Sequence, residues 1–335
     1  MAVFSKDLGV DLGTMFTRLA DSTQVLMQEP TIVAIAVQEQ KMVAVGHEAR
    51  DMYGRVPESI EVARPLSHGV IADYEITETL LSYLLQRVSG SLRVFRPRVM
   101  ISVPYGVTSV ERRAVYEAVM EAGAREASLI WQSLAAALGI DLPISSPSGN
   151  MVISLGGGCT EASIMAMYGI VSAETLRKGG MDLDDAIVNY VRRKYGVIIG
   201  QVTAEQLKVK IGAAVPQDTE NSMEVQGQDQ VTGLPRPVTL TTGEVVEALQ
   251  EPLREVTETC RRVLEKTPPE LVADIIDRGV ALCGGGALLR GIDKLLTKTL
   301  GIPAYLVDNP MTCAAEGAIR ALGMMNVMRR NLPQV

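Results

Sequence analysis

A pattern that occurs twice constrains the fold of this chain more than any other feature. The first copy is DLGVDLGT (residues 7–14), followed by FTRLAD and QVLMQEP; the second is NMVISLGGG (residues 150–158), followed by TEASIMAMY and GIVSAETLRKGG. Each copy has an alternating apolar strand, a tight glycine turn and a meander of two further strands. The helical segments that follow would cover the sheet. The sequence therefore predicts an α/β fold with two lobes, each built on a mixed sheet.

Length and composition agree with two lobes and narrow the function classes. The chain has 335 residues, of which 47% are hydrophobic and 21% charged, which is typical of a globular protein with an ample core. The formal net charge of -7 provides no basic field for nucleic acid, so we expect no nucleic-acid partner. No stretch approaches the roughly 20 apolar residues of a membrane span, which predicts a cytoplasmic protein. This does not exclude a position on a membrane surface.

The cysteines are read as buried thiols in a reducing compartment. Cys159, Cys260, Cys283 and Cys313 lie far apart in the sequence, without paired CxxC spacing or nearby histidines. That spacing favours neither a zinc site nor a disulfide framework.

Start and stop signals predict the helices. Capping boxes are expected at Thr108/Glu111, Thr203/Gln206 and Thr241/Glu244. The predicted helices span residues 76–89, 108–122, 132–139, 182–195, 203–213, 242–265, 269–277, 287–299 and 312–328. Two insertions are also expected: a small β unit at 216–238, and a unit at 31–65 that is strand-like to Val45 and then a loop.

Three glycine turns carry the chemical signal. They are Asp11-Leu12-Gly13-Thr14, then Gly156-Gly157-Gly158, then Gly284-Gly285-Gly286, which follows the apolar run GVALC and is expected to open a helix at Ala287. Glycine lets backbone amides approach a phosphate because no Cβ is present. A single glycine turn is more often merely structural. Three in this order, two of them with duplicated flanks, favour a polyphosphate gripped between the lobes.

At this point the chain resembles a known family. Several stretches are similar to the corresponding stretches of MreB-type bacterial actins. They are the DLGT and GGGCTE turns, RPLSHGVIADY (64–74), PRVMISVPYGVTSVERRAVYEAVMEAGARE (97–126), NYVRRKYGVIIGQVTAEQLKVKIGAA (189–214) and GGGALLRGIDKLL (284–296). The resemblance runs in register from about Asp7 to Leu322. It implies an actin-like fold of duplicated ribonuclease H-like domains in four subdomains. The implied boundaries are 1–32 with 66–145 (IA), 33–65 (IB), 146–180 with 248–335 (IIA) and 181–247 (IIB).

The resemblance also implies a function. Proteins of this type bind ATP or ADP with Mg²⁺ between the lobes and form head-to-tail protofilaments, which pair as antiparallel doublets. They lie at the inner face of the cytoplasmic membrane and guide cell-wall synthesis and cell shape. We therefore expect a filament-forming, nucleotide-binding cytoskeletal protein.

Individual site residues follow from the same resemblance, position by position. It implies that Asp11 holds hydrated Mg²⁺, a cation that keeps most of its waters. The residues implied at the phosphates are Thr14, Met15, Phe16, Gly156, Gly157 and Gly158. Those implied at the ribose and adenine are Glu205, Gln206, Leu207, Lys208, Gly285, Gly286, Ala287 and Leu288, and Glu316 matches the segment that joins the lobes. For Glu205 and Lys208, three apart on one helix face, an exposed intrahelical ion pair is the open alternative.

Three departures from the family pattern fall in this site. Gln132, in Trp131-Gln132-Ser133, stands where the family has the second glutamate of EEP, the residue implied to activate water. A glutamine can orient water but cannot accept its proton. Ser154 replaces an aspartate, and Met15-Phe16 replaces Ala-Asn. We therefore expect weakened metal binding and slow ATP hydrolysis.

A loop between two predicted elements is a candidate membrane contact. In SLRVFRP (91–97), the apolar Leu92, Val94 and Phe95 alternate with Arg93 and Arg96. Apolar tips with basic flanks suit an anionic lipid surface. Packing of Val94 and Phe95 on their own lobe is the alternative, and Phe4 is a possible second, weaker contact.

Two other functions share the phosphate turns. A sugar or acetate kinase would need a catalytic carboxylate in the cleft and usually a larger insertion, and the sequence shows neither. A non-polymerising actin-superfamily adaptor that binds ATP and docks on membrane machinery explains the altered catalytic positions equally well, and it stays open as the alternative.

Overall fold

A computed structural model describes residues 7–89 and 96–335. In this part of the chain the strands are β1 Asp7–Leu12, β2 Phe16–Ala20, β3 Val25–Pro30, β4 Val33–Ala36, β5 Lys41–Val45, β6 Ile60–Ala63, β7 Leu66–Ser67, β8 Val70–Ile71, β9 Arg98–Val103, β10 Glu126–Trp131, β11 Asn150–Leu155, β12 Thr160–Ala166, β13 Gly169–Leu176, β14 Val197–Ile198, β15 Ser222–Asp229, β16 Pro235–Thr241, β17 Val280–Cys283 and β18 Ala304–Leu306. The α-helices are α1 His47–Met52, α2 Tyr74–Ser89, α3 Ser109–Glu121, α4 Gln132–Gly139, α5 Gly180–Tyr195, α6 Gln201–Ile211, α7 Thr242–Glu265, α8 Pro269–Arg278, α9 Ile292–Leu300, α10 Cys313–Gly323 and α11 Met325–Met328, with a 3₁₀ helix at Gly285–Leu288.

The two large sheets have the same topology. The first has the order β10-β9-β1-β2-β3 and the second the order β18-β17-β11-β12-β13. In each, an antiparallel meander (β1-β2-β3 or β11-β12-β13) continues into parallel strands on the other side of its first strand. The predicted duplication of a mixed α/β sheet is confirmed.

A shared core joins the lobes beneath the sheets. Helices α4 and α10 cross with their backbones in contact: a Cβ added to Gly317 would lie 1.7 Å from the carbonyl oxygen of Ala135, and one added to Gly139 would lie 1.9 Å from that of Cys313. Side chains from both sheets, including Ile130 and Val152, are fully buried in the same cluster. Any larger residue at either glycine would force these helices apart.

Two three-stranded sheets include the segments predicted as insertions, although strand β14 lies outside 216–238. One has the order β5-β4-β6 and the other β14-β15-β16. The β unit expected at 216–238 is present as the β15-β16 hairpin. The boundaries of the four subdomains stay a prediction.

Four local predictions were wrong. The segment after Val45 contains helix α1 and strand β6 rather than a loop alone. Helix α6 begins at Gln201 with Gly200 as its N-cap, so Thr203 caps nothing. The helix predicted at 287–299 is a 3₁₀ turn followed by α9, because Gly291 has a φ of +73° and separates them. The helix predicted at 312–328 divides at Met324 into α10 and α11.

Candidate nucleotide site between the lobes

The first glycine turn joins β1 to β2 and is fixed by buried hydroxyls. The Gly13 amide donates to the Phe16 carbonyl at 3.1 Å, which closes the turn. The Thr31 hydroxyl donates to the Gly13 carbonyl at 2.7 Å and lies 2.9 Å from the hydroxyl of Thr17. The turn is therefore held by side chains from behind, which leaves its outer face toward the other lobe.

The second turn joins β11 to β12 and faces the first at contact distance. The Gly156 amide donates to the Cys159 carbonyl at 2.9 Å. A Cβ added to Gly157 would lie 2.2 Å from the Cγ of Met15, and one added to Gly158 would lie 2.3 Å from the Oγ1 of Thr14. Glycine at 157 and 158 therefore allows the two turns to meet.

The third turn completes one side of the same space. Gly284 has a φ of +82°, and a Cβ there would lie 2.4 Å from the carbonyl oxygen of Leu155. The 3₁₀ helix at Gly285–Leu288 follows directly. Glycine at 284 thus brings this turn against the end of β11, beside the second turn.

A cavity of about 320 Å³ lies among the three turns. Most predicted site residues line it: Asp11, Thr14, Met15, Phe16, Gln132, Gly156, Gly157, Gly158, Glu205, Lys208, Gly285, Gly286 and Leu288. Gln206, Leu207 and Ala287 do not. The side chain of Gln206 is exposed, and those of Leu207 and Ala287 belong to the core of the second lobe.

Asp11 is the centre of a buried polar network in the cavity. Its Oδ1 accepts hydrogen bonds from the Ser102 hydroxyl at 2.8 Å and from Nε2 of Gln132 at 3.2 Å. Its Oδ2 lies 3.4 Å from Nη1 of Arg18, and both side chains are buried. Ser154, also buried, occupies the matching position of the second turn and contributes no charge.

This donor set fits a divalent cation poorly. Mg²⁺ in proteins usually takes one or two carboxylates and retains waters that must themselves donate to acceptors. Both oxygens of Asp11 already accept hydrogen bonds, and one of the donors is a guanidinium. Within residues 7–89 and 96–335 there is no cluster of three or more potential metal ligands.

Glu205 and Lys208 do not form the ion pair that the sequence left open. Glu205 accepts from Nη2 of Arg50 at 2.6 Å, which joins α6 of the second lobe to α1 of the first. Lys208 contacts Oδ1 of Asp184 at 2.7 Å and donates to the Gly180 carbonyl at 2.7 Å. Burial raises the pKa of Asp184 to about 6, although Lys208 acts in the opposite direction.

Sequence reasoning missed Glu161, which lies behind the second turn. This carboxylate is completely buried and accepts from the backbone amides of Tyr105 at 2.6 Å and Ser133 at 3.1 Å. Burial raises its pKa, and these hydrogen bonds oppose the shift. Both amides belong to the first lobe, so Glu161 connects the lobes.

The thiols are buried, as expected, and three of them line the cavity. These are Cys159, Cys283 and Cys313. Burial raises the pKa of Cys159 to about 12, while a hydrogen bond with Cys283 and burial raise that of Cys313. The raised pKa values make these two thiols poor nucleophiles.

Comparison with known proteins decides the family. The family model described as MreB/Mbl protein matches residues 5–330. The chain belongs to the MreB/Mbl family. It is 45% identical over 331 residues to the cell shape-determining protein MreB of Escherichia coli (strain K12), covering 97% of this chain and 95% of that protein.

Solved structures confirm the actin-like fold. The chain resembles crystal structures of MreB5 of Spiroplasma citri, one bound to AMPPNP and one to ADP. The TM-score is 0.91 for both; for the AMPPNP structure the identity is 33% and 98% of each chain is covered. A MamK double helical filament has a TM-score of 0.80 at 20% identity, covering 94% of this chain and 98% of that one, and supports the fold alone. Among the described residues, no helix is both long and apolar enough to cross a bilayer.

Proposed function

We propose that this MreB/Mbl family member is a filament-forming, ATP-binding cytoskeletal protein that acts in cell shape and cell-wall organisation. One observation carries the proposal: three glycine turns from both lobes converge on one cavity. Such turns present backbone amides to phosphate without interference from side chains. The relative from E. coli is named as a cell shape-determining protein, and the Spiroplasma relative holds AMPPNP or ADP.

In this proposal the phosphates lie between the first two turns and the nucleoside lies toward α6 and the 3₁₀ helix. Across the lobes Gly158 faces Thr14 and Gly157 faces Met15, so a phosphate chain at this point has donors from both turns. Glu205 and Lys208 offer polar groups to the ribose, while Leu288, about half exposed, offers an apolar surface to the base.

Hydrolysis is proposed to be slow. Nε2 of Gln132 is occupied by Asp11, which leaves the amide oxygen to orient a water. An amide oxygen cannot take the water's proton as a carboxylate can. The donor set around Asp11 suits Mg²⁺ poorly, so this role of Gln132 does not depend on a metal.

The proposed partners are further copies of the chain, the inner face of the cytoplasmic membrane and cell-wall synthesis proteins. Head-to-tail protofilaments are proposed from the family resemblance. The membrane residues Leu92, Val94 and Phe95, and Phe4, lie outside the described residues, so their role rests on the sequence pattern. The cellular position proposed is cytoplasmic and peripheral.

Negative-stain electron microscopy with ATP and Mg²⁺ over anionic lipid tests this function, with phosphate release measured in the same sample. Filaments with little phosphate are expected. The Gly158→Val variant, whose added side chain would meet Thr14, should bind no nucleotide and form no nucleotide-dependent filaments. Nucleotide binding without filaments at any concentration would favour the adaptor, and substrate-dependent ADP release would indicate a kinase.

Co-sedimentation with anionic vesicles tests the membrane contact separately. Replacement of Leu92, Val94 and Phe95 by serine should abolish vesicle binding while filaments still form in solution. The matched control replaces Val231 and Leu234, which are 94% and 64% exposed at the tip of the β15-β16 hairpin. Equal loss in both variants would contradict a specific role for the 91–97 loop.

A further inference from the structure

Arg18 is a buried cation that lines the cavity and that the function described so far does not use. It lies on β2 directly opposite Asp11 on β1, with a side chain only 9% exposed. Its Nε donates to Oε1 of Gln28 at 2.9 Å, and its Nη1 lies 3.4 Å from Oδ2 of Asp11. Burying a charge is costly, so its position calls for compensation or for a ligand.

Phe16 helps to hold the guanidinium in place. The Cζ of Arg18 lies 5.3 Å from the centroid of the Phe16 ring, within the range of a cation–π contact. Phe16 is one of the departures from the family pattern, and it therefore has a structural consequence: it supports an arginine beside the phosphate turns. Two hydrogen bonds and one ring contact together fix the orientation of the guanidinium.

One guanidinium nitrogen remains available for a ligand. Nε and Nη1 have the partners given above, and Nη2 has no hydrogen-bond partner among residues 7–89 and 96–335. Arginine presents its donors in a planar fork that matches phosphate oxygens, and its hydrogen bonds to phosphate are charge-assisted. A polyphosphate in the cavity would find this cation beside the first turn.

The same arginine acts against a metal at Asp11. It neutralises the carboxylate, while Ser102 and Gln132 occupy the other oxygen. Ser154 leaves the second turn without a carboxylate to replace it. The charges in this part of the cleft therefore favour an anion more than they favour a divalent cation.

We propose that Arg18 is a nucleotide-binding residue that contacts the phosphate chain and supplies positive charge that Mg²⁺ would otherwise provide. ATP binding should then depend only weakly on Mg²⁺. The inference rests on the proposed nucleotide binding and goes beyond it, because it assigns a residue and a cation requirement to the site.

Equilibrium titration with a fluorescent ATP analogue, in excess EDTA and in excess Mg²⁺, tests the inference on the unmodified protein. We expect the ATP affinities in EDTA and in Mg²⁺ to agree within about tenfold. This difference is smaller than the loss of affinity expected when a charge-assisted hydrogen bond is removed. Binding that is strong in Mg²⁺ and absent in EDTA would overturn the inference while leaving the proposed function intact. Absence of binding in both conditions would instead overturn the proposed function.

An Arg18→Gln variant tests the residue itself. Its affinity for ATP in EDTA should fall by about 10- to 100-fold, and added Mg²⁺ should restore part of it because Asp11 is then free of the cation. Adenosine, which has no phosphates, should bind the Arg18→Gln variant and the unmodified protein with equal affinity. The matched control is Arg98→Gln. Arg98 pairs with Asp7, which lies on strand β1 like Asp11, but Arg98 does not line the cavity.

Two results would show that Arg18 only neutralises Asp11. One is an equal loss of ATP and adenosine affinity in Arg18→Gln, and the other is an unchanged ATP affinity in EDTA. If Arg18→Gln melts well below the Arg98→Gln control, Arg18→Lys replaces it. Arg18→Lys keeps the positive charge, and its comparison is the double variant Asp11→Asn/Arg18→Gln, which lacks that charge. In EDTA, Arg18→Lys should bind ATP more tightly than the double variant. Equal ATP affinities of these two variants would also contradict the inference.

Discussion

The first two glycine turns occupy equivalent places in the duplicated sheets, but the strands that follow them bury opposite charges. In the first lobe, Asp11 on β1 lies opposite Arg18 on β2. In the second lobe, Ser154 on β11 lies opposite Glu161 on β12 at the same distance from the turn. The strand that leaves each turn therefore buries one charged residue at the same position, a cation in one lobe and a carboxylate in the other.

The partners of these two charges differ in kind. Arg18 is paired with a side chain of its own hairpin and lines the cavity. Glu161 accepts backbone amides from the other lobe and does not line the cavity. The duplicated backbone thus provides an equivalent position for a buried charge in each lobe. Arg18 at this position lines the cavity, whereas Glu161 connects the two lobes.

Removal of Asp11 should have the largest effect on this comparison. Asp11→Ala leaves the buried guanidinium of Arg18 without its counter-charge, which typically costs about 3–5 kcal/mol of the free energy of unfolding. Ser154→Ala, at the equivalent position, removes only a neutral hydroxyl and should cost about 1 kcal/mol or less. Urea denaturation of the two variants measures both values. Equal costs would show that the first hairpin does not depend on its ion pair.

Removal of Glu161 should have the next largest effect. Glu161→Ala leaves the buried amides of Tyr105 and Ser133 unpaired, and each such group costs about 1–3 kcal/mol. The control is Ser163→Ala, because the Ser163 hydroxyl also donates to Glu161, at 3.3 Å. This hydrogen bond lies within the second lobe, so its loss leaves the amides of Tyr105 and Ser133 paired with Glu161. A cost for Glu161→Ala no greater than that of the control would contradict its role in joining the lobes.

Much of the fold could be predicted because its signals are local. The strand–turn–meander pattern predicted the antiparallel strands of both sheets, and the capping boxes at Thr108 and Thr241 mark the starts of α3 and α7 as predicted. Local signals failed where tertiary structure dominates. Thr203 has the spacing of a cap, but α6 begins earlier because Gly200 ends the preceding extended segment.

The site shows the same division. Glycine turns are visible in sequence, so most of the cavity lining could be predicted from them and from the family resemblance. Arg18 and Glu161 could not, because each is one charged residue within an apolar strand, and its partner depends on the register between strands or on the opposite lobe. Arg18 and Glu161 lie the same number of residues after their turns. This equivalence has a structural meaning only because the two sheets are duplicates.

The smallest effect is expected at another polar contact between the lobes, where Arg50 pairs with Glu205. The two side chains are 30% and 23% exposed, so the pair is far less buried than Glu161. Arg50→Ala should therefore lower the free energy of unfolding by only about 0.2–1 kcal/mol.

Nucleotide release should respond more clearly than stability to this change, because Arg50 fixes the carboxylate proposed to contact the ribose. We expect a several-fold faster dissociation of a fluorescent ATP analogue, measured by stopped-flow displacement. Arg254→Ala is the control, since Arg254 pairs with Glu251 on the exposed side of α7. A dissociation rate equal to that of the control would mean that the Arg50 pair is an ordinary surface ion pair with no influence on nucleotide release.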